Sequence, residues 1–161
     1  MKLFKKILCS ALVLVCLLSL VSCSSETEQI SALDTVKALS AAEIGLPAGK
    51  IYSSKAQKGE DGYIPPSLIS SLYGGGSLPK TSEGWIEYAL FLSSKEPLCE
   101  FAVILCSSHE NAEDTARILC SRASLISNED NSRIIIRGNT VCMIVSRDPE
   151  SAEKIFIGYA R

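Results

Sequence analysis

Two neighbouring stretches decide the fold: WIEYALFLS at residues 85–93 and LCEFAVILC at residues 98–106. In the first, Ile86, Tyr88, Leu90 and Leu92 recur at every second position, the period of a strand. The second is apolar on both sides, with Phe101, Val103 and Leu105 against Ala102, Ile104 and Cys106. Ser94 to Pro97 between them is a turn. A strand that is apolar on both sides is covered on both sides.

Toward the C-terminus the pattern continues. Ser107 and Glu110 stand three apart, as in a capping box, and Ala112, Ala116, Leu119 and Ala123 then form one helical stripe. Ile134–Ile136 and Val141–Val145 flank Arg137-Gly138-Asn139-Thr140, a hairpin signal, and the second of these runs is again apolar on both sides. Asp148-Pro149 opens a last helix with Ala152, Ile155 and Phe156 on its inner face. Toward the N-terminus, Pro65-Pro66 opens a short helix ended by Gly74-Gly75-Gly76. Residues 48–63 are polar, with room for a short strand at Ile51-Tyr52. Asp34 reads as the cap of an amphipathic helix carrying Val36, Leu39, Ala42 and Ile44, with Gly45 and Pro47 as its stop. The order β-β-α-β-β-α behind an N-terminal amphipathic helix predicts an α+β fold: an antiparallel sheet of about four strands with helices on one side. Its outer face is either covered by the N-terminal helix and the 48–76 region or left exposed to receive a partner or ligand. Trp85, Tyr88, Ile104 and Ile144 are the candidate residues of such a surface.

The first two dozen residues read as an address. Lys2, Lys5 and Lys6 precede an uncharged run from Ile7 to Val21, and Leu20-Val21-Ser22-Cys23 follows the pattern of a bacterial lipobox. The apolar run is 15 residues long, short of the roughly 18–20 that a spanning helix needs. The expectation is a cleaved signal peptide at 1–22, then Cys23 as lipid attachment site with a polar tether to residue 33, then one domain at 34–161. The thiol of Cys23 would carry a diacylglyceryl group by a thioether bond. Each acyl CH₂ buried in the bilayer adds about 0.8 kcal/mol of membrane affinity, so two chains hold firmly. The eight residues Ser24–Ser31 reach at most about 30 Å when extended, which keeps the domain near the membrane's outer face.

The whole chain has 161 residues, 16 basic and 18 acidic side chains and a net charge of −2. Without residues 1–22 it has 139 residues, a net charge of −5 and five cysteines. That balance gives no basic surface for nucleic acid.

Tests for chemistry return little. Cys99, Cys106, Cys120 and Cys142 form no C-x-x-C pair and read as free core thiols. His109, the single histidine, sits in the first turn of a helix and reads as solvated or capping. Pro79 stands where a phosphate loop needs glycine before its lysine, so Gly74-Gly75-Gly76 and Lys80-Thr81 are not such a loop. Glu100 interrupts an apolar strand and either marks its exposed start or pairs with Arg137 across the sheet. Trp85 and Tyr88, with Tyr52, Tyr63 and Tyr73, are the material for an aromatic groove. No cofactor or metal site is expected.

The punctuation of the chain resembles a family of small bacterial lipoproteins of clostridial type that forms a domain of unknown function. The likeness runs over about residues 35–158. It rests on Pro66-Ser67-Leu68 to Leu72-Tyr73-Gly74, Trp85–Phe91, Cys99–Ile104, Ala116-Arg117, Arg137-Gly138-Asn139, Asp148-Pro149-Glu150, Ala152-Glu153 and Ile155-Phe156. It implies a location and a fold, and no reaction. The expected function is a non-catalytic, lipid-anchored binding or adaptor module that meets a membrane-associated protein. The alternative is a small-ligand binding lipoprotein with an aromatic-lined pocket.

Overall fold

The computed structural model describes residues 31–42, 44–95 and 98–159. The expected signal segment, Cys23, the expected tether up to residue 30 and residues 96–97 of the Ser94–Pro97 turn lie outside these. The two deciding stretches pair as β2 (Trp85–Ser93) and β3 (Glu100–Cys106), and the Gly-Asn hairpin joins β4 (Ser132–Arg137) to β5 (Thr140–Val145). Gly138 takes φ +57°, the left-handed first position of a two-residue turn.

The fold is α+β, with an antiparallel sheet of five strands in the order β1-β2-β3-β5-β4. The fifth strand, β1 (Gly49–Ser53), pairs with β2 and lies in the polar segment that showed no alternation. Gly49 lets it approach, because a Cβ there would stand 2.3 Å from the Phe91 ring. The long helix between β3 and β4 carries the chain across β5, which slots in between.

Helices cover both faces, the covered alternative, but the helices at 109–126 and 149–159, expected on one side, lie on opposite faces. α1 (Ala32–Ala41) and α4 (Pro149–Tyr159) enclose one core with Val36, Leu39, Phe101, Val103, Ile144 and Phe156. α2 (Pro66–Tyr73) and α3 (His109–Ile126) enclose the other with Ile69, Leu90, Ile104, Leu119 and Met143. Every residue of β3 and β5 is buried, so a single helical layer would have left one apolar face wet. Burying a side chain such as Leu39 or Phe156 contributes about 1.5–3 kcal/mol, and both are fully buried.

Three local expectations change. The cap of α1 is Ser31, whose hydroxyl accepts from Asp34 N–H at 3.3 Å, and Asp34 lies in the first turn. The helix starts earlier because Glu87 also accepts from Leu33 N–H at 3.2 Å, satisfying a free donor of its first turn. The cap of α3 is Ser108 rather than Ser107, whose own N–H is held by Gly84 C=O at 2.8 Å. A β-bulge between Trp85 and Glu87 breaks the alternation of β2. It turns Ile86 out to 58% exposure and puts Trp85 on the α2–α3 face in its place. Asp148 caps α4 as expected, accepting from Ser151 N–H at 3.1 Å.

Candidate functional site

Ile104 and Ile144 are both fully buried and belong to opposite cores, Ile104 under α2 and α3, Ile144 under α1 and α4. They form no docking surface in this fold, because the strands that made them candidates are sandwiched. The aromatic groove is likewise filled. Trp85 packs edge-on against Tyr73 at 6.4 Å and Tyr88 at 5.6 Å, and its indole N–H donates to Thr115 Oγ1 at 2.9 Å. Tyr52 packs against the same cluster from β1. Tyr88 is half-buried, and burial together with the nearby Tyr63 raises its phenol above the ordinary range.

Glu100 pairs with Arg122 of α3 instead of Arg137. Arg122 Nη2 donates to Oε2 at 2.7 Å and its Nε to both carboxylate oxygens, while Tyr73 OH donates to Oε1 at 2.9 Å. A carboxylate held by a guanidinium fork and a phenol is fully used in bonding. Burial first, and then the Glu100 charge, push the Tyr73 phenol well above its ordinary value. Burial opposes the charge on Arg122, but Glu100 outweighs it and the guanidinium is raised. Arg137 lies on the α4 side and donates to the C=O of Ile157 at 2.8 Å, near the negative end of that helix.

Of the four thiols, Cys99, Cys106 and Cys142 are buried and free, while Cys120 is exposed on the outside of α3 rather than in the core. Burial raises the first three out of the nucleophilic range, Cys142 furthest. His109 is exposed, with Nδ1 at 2.9 Å from Gly138 C=O and Nε2 at 3.6 Å from Glu113.

The polar constellation that sequence reasoning missed lies at the start of α1. Glu87 is 8% exposed and accepts from Ser31 Oγ at 3.1 Å, while Lys55 Nζ stands 2.9 Å from its other oxygen and 3.5 Å from Ser31 Oγ. These residues, with Ser54, Ile86 and Leu105, line a recess of about 360 Å³. A second recess of about 370 Å³ on the far side of Lys55 reaches Lys37, Ile51 and Asp61. A third, about 220 Å³, lies at the other end of the sheet between Leu98, Ile126, Asn128 and Arg147. Serine, lysine and glutamate side by side invite a nucleophilic reading. Here the Ser31 hydroxyl donates to a carboxylate already charge-paired with Lys55, and its lone pair holds the helix N–H, so no base activates it. The one signal in the sequence was Glu87 itself, an acidic residue in register with inward-facing Ala89 and Phe91.

Glu87 and Glu100 do not make a hydrolytic pair. They point to opposite faces, and their strand partners Leu105 and Glu100's own position are five residues apart on β3, about 16 Å, beyond the roughly 5–9.5 Å that two working carboxylates need. Among the described residues no cluster of three or more His, Cys, Asp or Glu side chains is placed to hold a metal ion. Among them, too, no helix is long and apolar enough to cross a membrane. Comparison of the chain with family models, with curated proteins and with solved structures found no match.

Proposed function

We propose that this chain is a lipid-anchored, extracytoplasmic binding or adaptor module of the cell membrane, without catalytic activity, held there by a diacylglyceryl group on Cys23. The observation that carries the reading is the run from Lys2 to Cys23: a basic start, an apolar stretch too short to span, and a cysteine after a small residue. The resemblance to small clostridial-type lipoproteins supports the same location.

The adaptor reading is preferred to a small-ligand receptor because the aromatic side chains that would line a pocket pack against one another and against Thr115. Fractionation of cells expressing the full chain, with mass spectrometry of the mature N-terminus, tests the anchor. Wild type should partition with membranes and carry the lipid on Cys23. Cys23→Ala should lose both. Unchanged processing and membrane attachment in that variant would refute the reading.

A further inference from the structure

The two edges of the sheet are treated differently. At β1 the chain folds back on itself: Ser53 N–H donates to Gly62 C=O at 2.8 Å, Ser53 bridges to Tyr63, and Lys50 binds Asp61 at 2.7 Å. At β4 no strand or loop does this among the described residues. Arg137 and Thr140 flank a two-residue turn and are therefore a hydrogen-bonded pair, which makes Ile135 and Arg133 the next residues bonded to β5. Ile134 and Ile136 alternate with them, so their N–H and C=O groups point outward. Edge strands with such free groups and β-branched side chains pair with another strand unless something blocks them. The charges that would block this edge are turned away. Arg137 is bound to Ile157 C=O, and Arg133 leans toward Glu150 and Glu153 at 3.9 and 3.8 Å.

We propose that β4 is a self-association edge, and that its occupant is β4 of a second copy, antiparallel about a two-fold axis through Ile135. In that register Ile134 of each copy faces Ile136 of the other. The outward groups then form four hydrogen bonds, and the four side chains cluster on the α3 side, where Ile136 is 38% exposed alone. Ile135 meets its own counterpart on the α4 side. Each Arg137, exchanging its bond to Ile157 C=O, comes opposite the other copy's Arg133, beside that copy's Glu150 and Glu153. Two arginines thus meet two glutamates at each end, and the charges complement rather than repel. Glu150, 73% exposed and 3.9 Å from Arg133 in the single chain, is free to take up the added cation. This deepens the binding-module reading by naming the partner. A single strand pair makes a small and weak interface, and anchoring both copies on one membrane would raise their effective concentration.

The test is sedimentation of the full chain in detergent from about 1 to about 300 µM, the range in which weak interfaces dissociate. Amide hydrogen exchange is measured at both ends of that range. Wild type should pass from monomer to dimer, with the amides of Ile134 and Ile136 gaining protection. Ile136→Lys should weaken dimerisation at least about tenfold, and Glu150→Lys should weaken it several-fold with the fold intact by circular dichroism. Leu78→Lys, on a loop distant in sequence from β4, should change nothing. A monomer throughout, or a dimer that forms equally well in Ile136→Lys or leaves both amides unprotected, would overturn the proposal. Because Cys23→Ala removes the anchor without touching β4, loss of membrane attachment and loss of dimerisation are read separately.

Discussion

Between the sheet and helices α1 and α4 lie Val36, Leu39, Phe91, Phe101, Val103, Ile144 and Phe156, an apolar filling in which the buried carboxylate Glu87 sits only at the margin, under the first turn of α1. Between the sheet and helices α2 and α3 lie a second apolar core and, within it, the Glu100–Arg122–Tyr73 network and the Trp85–Thr115–Cys106 chain. The difference teaches how this fold tolerates polar groups inside. On the first face a helix N-terminus and a half-exposed lysine complete the bonding from the rim. On the second every partner comes from a side chain, so each depends on the exact seating of α2 and α3.

That dependence can be broken first. Arg122→Ala leaves Glu100, 3% exposed, without its counter-charge, and breaking a buried pair from one side costs about 3–5 kcal/mol. The lower end is expected because the Arg122 side chain keeps 20% exposure. Leu39→Ala on the other face loses apolar area and leaves a cavity, a cost of about 2–5 kcal/mol. The two faces part company under rescue. Replacing both charged partners, Glu100→Leu with Arg122→Leu, should recover most of the loss, since apolar side chains substitute well for a buried pair. No second change at the α1–α4 face has an equivalent partner to remove. Urea denaturation of the four proteins checks this, and a double variant as unstable as Arg122→Ala would contradict it.

A smaller effect sharpens the same contrast. The folded-state pKa of Tyr73 lies above its ordinary 10.0, chiefly through burial. The folded chain therefore keeps a proton that the unfolded chain has already released. The stability this contributes is full below about pH 10 and falls as pH climbs past it. Tyr73→Phe should flatten that alkaline decline while costing about 1 kcal/mol near neutrality through the lost hydrogen bond to Glu100. Thermal melts from pH 7 to 11 measure both, and an unchanged alkaline slope would contradict the assignment to Tyr73.

The smallest effect concerns the thiols and leaves stability untouched. Cys120 is exposed, whereas Cys99, Cys106 and Cys142 are buried with raised pKa values. Among the four cysteines of residues 31–159, alkylation of the folded protein should modify Cys120 alone within minutes, and unfolding should release the other three. Fast reaction of a second thiol in the folded chain would show that one of the cores opens.

Much of this was legible from short-range pattern. The doubly apolar β3 and β5, the Gly-Asn hairpin, the Asp148 cap and the stripe of α3 are each set by residues within a few positions of one another, where periodicity and turn chemistry act directly. That Glu100 could be paired across the sheet core was also readable, beside the alternative that it marks the strand's exposed start, since a carboxylate inside an apolar strand must find a donor. Which donor was not. Arg137 and Arg122 are both plausible by composition, and only the direction from which α3 crosses β5 settles it. The bulge at Ile86 escaped because local alternation is the same with or without it until the register of β3 is known. The strand β1 was only a possibility at Ile51-Tyr52, because its residues show no alternation of their own and are ordered by pairing with β2.

By itself the sequence determined the α+β class, the order of the main elements from the N-terminal helix to the last one, and two strands apolar on both faces, which left open only whether their outer face is covered. Each of these follows from hydrophobic period and chain length, which are properties of neighbours. The tertiary structure decided which helices form which layer, that Ile104 and Ile144 would be buried apart, that Ser31, Lys55 and Glu87 would meet, and that among the described residues the β4 edge is left unpaired while β1 is closed. Those outcomes depend on contacts between residues far apart along the chain, which form only when all the layers pack at once.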